Sequence, residues 1–325
     1  MNIEKLCRQY INTHGASHVR KVIGSLRFRR LLTLLGPAYG ADIRIATIPI
    51  MDTLPVLVAN DEGIFKKNGL NVTVTLVANQ QLVIGALMSK SHDIGLSVPP
   101  TIMQARDNGL DLVIVAGATE YPRPDGYAGL LMREGSGIKT PADLAGKKIA
   151  VAGLNAYHYY MAVDYLQRNK VDVSTVKFVE IAFPQQPDVL KSGQVDAVVT
   201  VDPFYGRIVN NKIGYSIEEY DNTVPMGTLI DFYIATRAWA NENRDAVKAF
   251  RASLDEAIKF ININEQASRA SLQRWSKVPE AVVALAKLSN FKTNVDGKQL
   301  QHWMDLGKRQ GFIKQPMSGD DLVFK

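Results

Sequence analysis

Cysteine is almost missing from this chain: among 325 residues there is one, Cys7. A single thiol excludes an intramolecular disulfide and any cysteine-rich metal or redox motif. Histidine is scarce too. His14 and His18 lie near the start, and His92, His158 and His302 are isolated by their spacing. There is no Gly-x-Ser-x-Gly elbow and no His-Glu-x-x-His pair, so the common hydrolase and metalloprotease sites are excluded. Gly153-Leu154-Asn155-Ala156 is too poor in glycine for a dinucleotide loop. No apolar run reaches the length of a membrane span. Neither repeats nor low-complexity stretches occur.

The body of the chain also lacks net charge. The formal excess of +6 is accounted for within residues 1–41, where Lys5, Arg8, Arg20, Lys21, Arg27, Arg29 and Arg30 stand against Glu4 alone. The remaining residues are balanced, which removes the expectation of a phosphate-binding surface and of a nucleic-acid partner. The basic segment reads as an export leader: Arg27 to Arg30 precede Leu31-Leu32-Thr33-Leu34-Leu35, and Ala38 to Ala41 supply small residues near a cleavage point. Arg29-Arg30 followed by leucines is twin-arginine-like. Cys7 falls inside this leader, so the mature chain is expected to have no thiol. A disordered or mis-started N-terminus is the alternative.

What is present is alternation of strand and helix signals. Ser91 to Ala118 shows it best: a short strand (Asp93–Leu96), a turn (Ser97-Val98-Pro99-Pro100), a helix closed by Gly109, and an unbroken apolar strand from Leu112. Ile43 to Ile48 and Val72 to Val77 read as strands, Leu54 to Lys67 and Gln81 to Ser89 as helices. Together they predict a parallel sheet covered on both faces. The stretch 120–126, with two prolines and a glycine, breaks the pattern and reads as a crossover. A second strand–helix set follows to about residue 211. The chain is expected to return to the first set through a strand at Leu229 to Ala235. Four helical segments then follow, beginning with Arg237 to Asn262.

Two such lobes joined twice form a clamshell with the ligand between them, at the carboxyl ends of the strands. The predicted division is 1–41 as leader, 42–121 with 229–325 as lobe I, and 122–228 as lobe II.

Four segments carry a family resemblance. They are Leu57-Val58-Ala59-Asn60-Asp61-Glu62-Gly63-Ile64-Phe65-Lys66-Lys67-Asn68-Gly69-Leu70, the stretch Ser91–Ala118, Ile138 to Val151, and Ser192-Gly193-Gln194-Val195-Asp196-Ala197. Asp202-Pro203-Phe204 also fits. The chain resembles the periplasmic substrate-binding proteins of ABC importers, in the nitrate, aliphatic sulfonate, taurine and thiamine-precursor group. The resemblance implies a type II periplasmic binding protein-like fold, each lobe a mostly parallel sheet flanked by helices, with a helical C-terminal segment. It also implies a small-molecule solute, ABC permease membrane subunits as partners, a monomer, a periplasmic location and no cofactor. The solute is either a small organic oxyanion or a flat nitrogenous ring. Sulfonate-type members often have a serine-containing turn where this chain has Gly153 to His158. The enzyme alternative on this fold, a pyrimidine synthase, needs a cysteine-rich motif that is not present. An effector-binding lobe of a transcriptional regulator is the other alternative.

The candidate ligand contacts follow from strand ends and helix starts. Asp52 and Thr53 follow the first strand; Asp52 either caps the next helix or faces the cleft, where a carboxylate opposes an anion. Gln80 and Gln81 follow the second strand, as an N-cap or as donors. Ser97 sits where a hydroxyl and free backbone N–H groups converge. Tyr121 is either hinge packing or a lid. Asn155, Tyr157 and His158 open the long helix of lobe II, with some of its rings belonging to the core. Asp202 either caps a helix or faces the solute, and Asp231 lies on the returning strand.

Overall fold

A computed structural model describes residues 40–122 and 125–325. The basic segment with Cys7, and the proposed leader with it, lie outside the described residues. The strands of the first sheet come first: β1 (Ala41–Thr47), β2 (Leu70–Leu76), β3 (Ile94–Ser97) and β4 (Leu112–Glu120). Between them run α1 (Leu54–Asp61), α2 (Ile64–Lys67), α3 (Gln80–Met88) and α4 (Pro99–Asp107). The second sheet is built from β5 (Ala128–Arg133), β6 (Lys148–Val151), β7 (Lys177–Glu180), β8 (Ala197–Val201) and the short β9 (Gly214–Tyr215). Its helices are α5 (Tyr157–Arg168), α6 (Gln186–Lys191) and α7 (Phe204–Asn210). Strand β10 (Leu229–Thr236) returns to the first sheet. Helices α8 (Arg237–Glu242), α9 (Arg244–Ile263), α10 (Glu265–Ser276), α11 (Glu280–Leu285), α12 (Gln301–Gln310) and α13 (Gly319–Leu322) complete the chain.

The strand orders are β2-β1-β3-β10-β4 and β7-β6-β8-β5-β9. In each sheet one strand, the fourth, runs against the rest: β10 is antiparallel to β3 and β4, and β5 to β8 and β9. These are the strands that arrive from the other sheet. A chain leaving β4 at its carboxyl end and entering the second sheet directly, with no helical crossover, has to run in the opposite sense. The sheets are thus mostly parallel in direction, as predicted, with a reversed strand that marks each crossing.

The two crossings hydrogen-bond to each other. Tyr121 N–H donates to Thr228 O, and Gly227 N–H donates to Tyr121 O, both at 2.8 Å. Tyr121 is therefore paired within the connection itself.

Two predicted helices are interrupted. Leu54 to Lys67 breaks after Asp61 because Gly63 adopts φ +69°, which glycine tolerates without steric penalty. Arg237 to Asn262 divides at Asn243, whose φ/ψ of −121°/37° is not helical. The strand β8 (Ala-Val-Val-Thr-Val) is wholly buried, as a β-branched run covered on both faces should be. The C-terminal helices seal the first sheet and the seam. Phe250 of α9 stacks on Phe65 at 5.9 Å and meets Tyr233 edge-on at 5.2 Å. Trp303 of α12 donates its indole N–H to Leu229 O at 2.7 Å and lies 5.1 Å from the Tyr157 ring of α5.

Candidate functional site

A partly open cavity lies where the two sheets face each other. The first sheet reaches it from the carboxyl ends of its strands: Ile48, Ile50 and Asp52 follow β1, Asn79 and Gln80 follow β2, and Val98 follows β3. The reversed strand β10 contributes near its amino end, through Asp231. The second sheet supplies Ala152, Gly153 and Ala156 after β6, Phe183 after β7, and Tyr157 and His158 from the amino end of α5. This is the carboxyl-end arrangement expected of open α/β sheets.

Five of the eleven predicted residues line the cavity: Asp52, Gln80, Tyr157, His158 and Asp231. Asp52 does not cap α1. It is fully buried, and Ser289 Oγ donates to its Oδ1 at 2.5 Å. Asp231 is 2 % exposed, and Thr119 Oγ1 donates to its Oδ2 at 3.0 Å. Tyr233 lies with these two acids. Burial, and then the nearby charges of Asp52 and Asp231, hold its phenol well above the usual range. Gln80 is 6 % exposed, and neither end of its amide has a hydrogen-bond partner. A buried amide left unpaired costs about 1–3 kcal/mol, so a ligand that fills its hydrogen bonds has that much to recover.

Rings make the opposite wall. Tyr157 Oη donates to Asp221 Oδ2 at 3.3 Å, and His158 Nδ1 meets Tyr220 Oη at 2.6 Å. The His158 ring is edge-on to Tyr157 at 4.8 Å and to Phe183 at 5.5 Å. Both Tyr157 and His158 reach the cavity because it lies beyond the end of α5. Their different places around the helix then matter little.

The other six lie outside the lining set. Thr53 is buried, with its hydroxyl against that of Thr47. Ser97 is the last paired residue of β3, opposite Phe232, and it is fully buried; its neighbour Val98 takes the lining position. Gln81 donates from its amide to Leu154 O at 2.9 Å. Asn155 adopts φ +63°, its Oδ1 accepts from Tyr160 Oη at 3.4 Å, and its carbonyl accepts from Gln104. Tyr121 belongs to the paired connection. Asp202 has a capping role: its Oδ1 accepts from Gly206 N at 2.9 Å and its Oδ2 from Lys287 N at 2.6 Å. Burial raises its carboxyl to about 6 despite those two donors.

Phe183, Ile48, Ile50 and Val98 were missed as lining residues. Each lies one to three residues past a strand end, where the carboxyl-end rule applied to every strand would have found it.

The lining residues include neither lysine nor arginine. Among the described residues, no cluster of His, Cys, Asp and Glu could hold a metal ion.

The NMT1/THI5-like family matches residues 50–267. The formylaminopyrimidine-binding protein of Halalkalibacterium halodurans is 22 % identical over 288 residues, covering 81 % of this chain and 83 % of that protein. A putative thiamine biosynthesis protein of Haemophilus influenzae is 22 % identical over 278 residues, 82 % of this chain and 86 % of that one. Among solved structures, the alkanesulfonate-binding protein SsuA from Xanthomonas axonopodis pv. citri, bound to MOPS, superimposes with a TM-score of 0.75 at 19 % identity. That match covers 87 % of this chain and 98 % of the other. The periplasmic nitrate-binding protein NrtA from Synechocystis gives 0.70 at 17 %, over 86 % and 84 %. These two likenesses bear on the fold.

Proposed function

The chain belongs to the NMT1/THI5-like family and is a solute-binding receptor of an ABC-type importer; we propose that its solute is a flat nitrogenous ring rather than an oxyanion. The observation that carries the choice is the pair of buried carboxylates, Asp52 and Asp231, lining a cavity whose walls hold no lysine or arginine. An anion placed there would be desolvated against two like charges. A ring N–H or an amino group would instead form charge-assisted hydrogen bonds. The Gln80 amide offers one donor and one acceptor to the same ring edge. Tyr157, His158 and Phe183 supply aromatic surface for its faces. The formylaminopyrimidine in the name of the Halalkalibacterium relative is a flat nitrogenous ring of this kind.

In this reading Asp52, Gln80, Tyr157, His158 and Asp231 touch the solute. Lobe I comprises 42–121 with 229–325, and lobe II comprises 122–228. The receptor is exported to the periplasm, acts as a monomer and hands its solute to a membrane permease without chemical change. The test is a thermal-shift panel of 4-amino-2-methylpyrimidine, other aminopyrimidines, nitrate, taurine and alkanesulfonates. Ligand at about 100 times its dissociation constant adds about 2.7 kcal/mol to stability. An upward shift with the pyrimidines alone supports the proposal. A shift with the anions alone removes it.

A further inference from the structure

The turn between β6 and α5 forms part of the cavity wall through Gly153 and Ala156. Side chains carried by the first sheet hold it from across the cleft. Gln81 Nε2 donates to Leu154 O at 2.9 Å, and Gln104 Nε2 donates to Asn155 O at 2.8 Å. Asn79 Nδ2 donates to Glu180 Oε1 at 3.0 Å, and Glu180 Oε2 accepts from Leu154 N–H at 3.2 Å. Three amides from α3 and α4 and the residue before α3 thus converge on one turn, two directly and one through a carboxylate.

The local backbone is shaped for this. A Cβ on Gly153 would stand 3.2 Å from Gln81 Oε1 and 3.4 Å from Nε2, so a side chain there would press on the Gln81 amide. Asn155 holds a left-handed φ of +63°, a conformation asparagine tolerates better than most residues. Of the holding residues, Gln81, Gln104 and Glu180 do not line the cavity. Their hydrogen bonds are at exposed positions, where water can replace the partner when the lobes separate.

We propose that Gln81, Gln104 and Glu180 form an inter-lobe clasp that keeps the closed cleft shut over the solute, setting its residence time without touching it. The proposal rests on the two-lobe receptor reading above. It makes the three side chains positioning residues, and it gives Gln81 and Asn155 a role other than ligand contact.

The experiment compares the native protein with the triple variant Gln81→Ala, Gln104→Ala, Glu180→Ala, using 4-amino-2-methylpyrimidine as probe. Loss of the clasp is expected to raise the probe's dissociation rate about tenfold or more while the association rate stays within about threefold. Small-angle scattering of the probe-bound variant should show a larger radius than the probe-bound native protein. The melting temperature without probe should stay within about 2 °C, since the bonds lost are exposed ones. A dissociation rate within about twofold of native would overturn the clasp. If the native protein binds none of the panel, the reading of the solute fails separately, and the clasp is judged on the free protein. Faster amide exchange at Leu154 in the double variant Gln81→Ala, Gln104→Ala, which keeps the Glu180 acceptor, would uphold it, and equal exchange would overturn it.

Discussion

Replacing Asp231 by asparagine keeps the shape of the side chain and removes its charge. The residue is 2 % exposed, and it accepts from Thr119 Oγ1 at 3.0 Å, a bond the asparagine carbonyl can keep. If a solute N–H meets this carboxylate, the variant exchanges a charge-assisted bond for a neutral one. Hydrogen bonds to charged groups contribute about 1.5–3 kcal/mol, and neutral ones about 0.5–1.5. The difference is about 1–1.5 kcal/mol, or roughly a five- to twelvefold weaker dissociation constant. Stability without solute should move the other way or not at all, because the variant no longer keeps a carboxylate out of water near Asp52 and Tyr233. The assay is isothermal titration with the best-binding aminopyrimidine, alongside denaturant unfolding without it. Binding equal to or tighter than native, with the fold intact, would refute the argument that the acids recognise the solute.

Three further outcomes follow from the same geometry. Asp202 has a folded-state carboxyl raised to about 6 against an ordinary 3.8, so the folded form holds its proton longer than the unfolded chain does. Its contribution to stability therefore falls as pH rises from about 4 to 6, by up to about 3 kcal/mol. Urea unfolding of native protein and Asp202→Asn across this range should show that extra slope in the native protein alone. Gly117→Ala places a methyl 2.4 Å from Lys292 O, on backbone held by Gly117 N–H to Thr293 O at 2.8 Å. Overpacking of this kind costs about 1–3 kcal/mol, which a lowered denaturation midpoint would report. Trp303→Phe removes the indole N–H donated to Leu229 O, leaving a buried carbonyl short of a partner at a cost of about 1–3 kcal/mol. Calorimetric melting that matched the native protein would contradict that assignment.

Much of this fold could be read from local pattern, because β-branched runs such as Val72 to Leu76 and Ala197 to Val201 are strands that no helix would favour. The helix breaks at Gly63 and Asn243 escaped because the apolar periodicity continues through both points while the backbone does not. Of the three acids singled out at strand ends or on the returning strand, Asp52 and Asp231 line the cavity and Asp202 takes backbone N–H groups instead. Residues joined across the cleft were not legible. Gln81 and Asn155 look like ligand contacts along the chain, and only the facing lobe shows that each is held by the other sheet's elements. At Ser97 the strand runs one residue further than the local pattern suggests: the serine pairs with Phe232, and Val98 after it lines the cavity. Asp202 and Tyr121 took the structural roles open to them, a helix cap and a paired connection.

The most direct test of the central claim is a crystal structure of the protein with the aminopyrimidine that gives the largest thermal shift. The account predicts a ring between the first-sheet acids and the Tyr157–His158–Phe183 wall. Its nitrogen donors should lie at about 2.7–3.2 Å from Asp52 or Asp231, with the Gln80 amide on the same edge. A solute bound outside this cavity, or one whose anionic group occupies the place beside the two carboxylates, would contradict it.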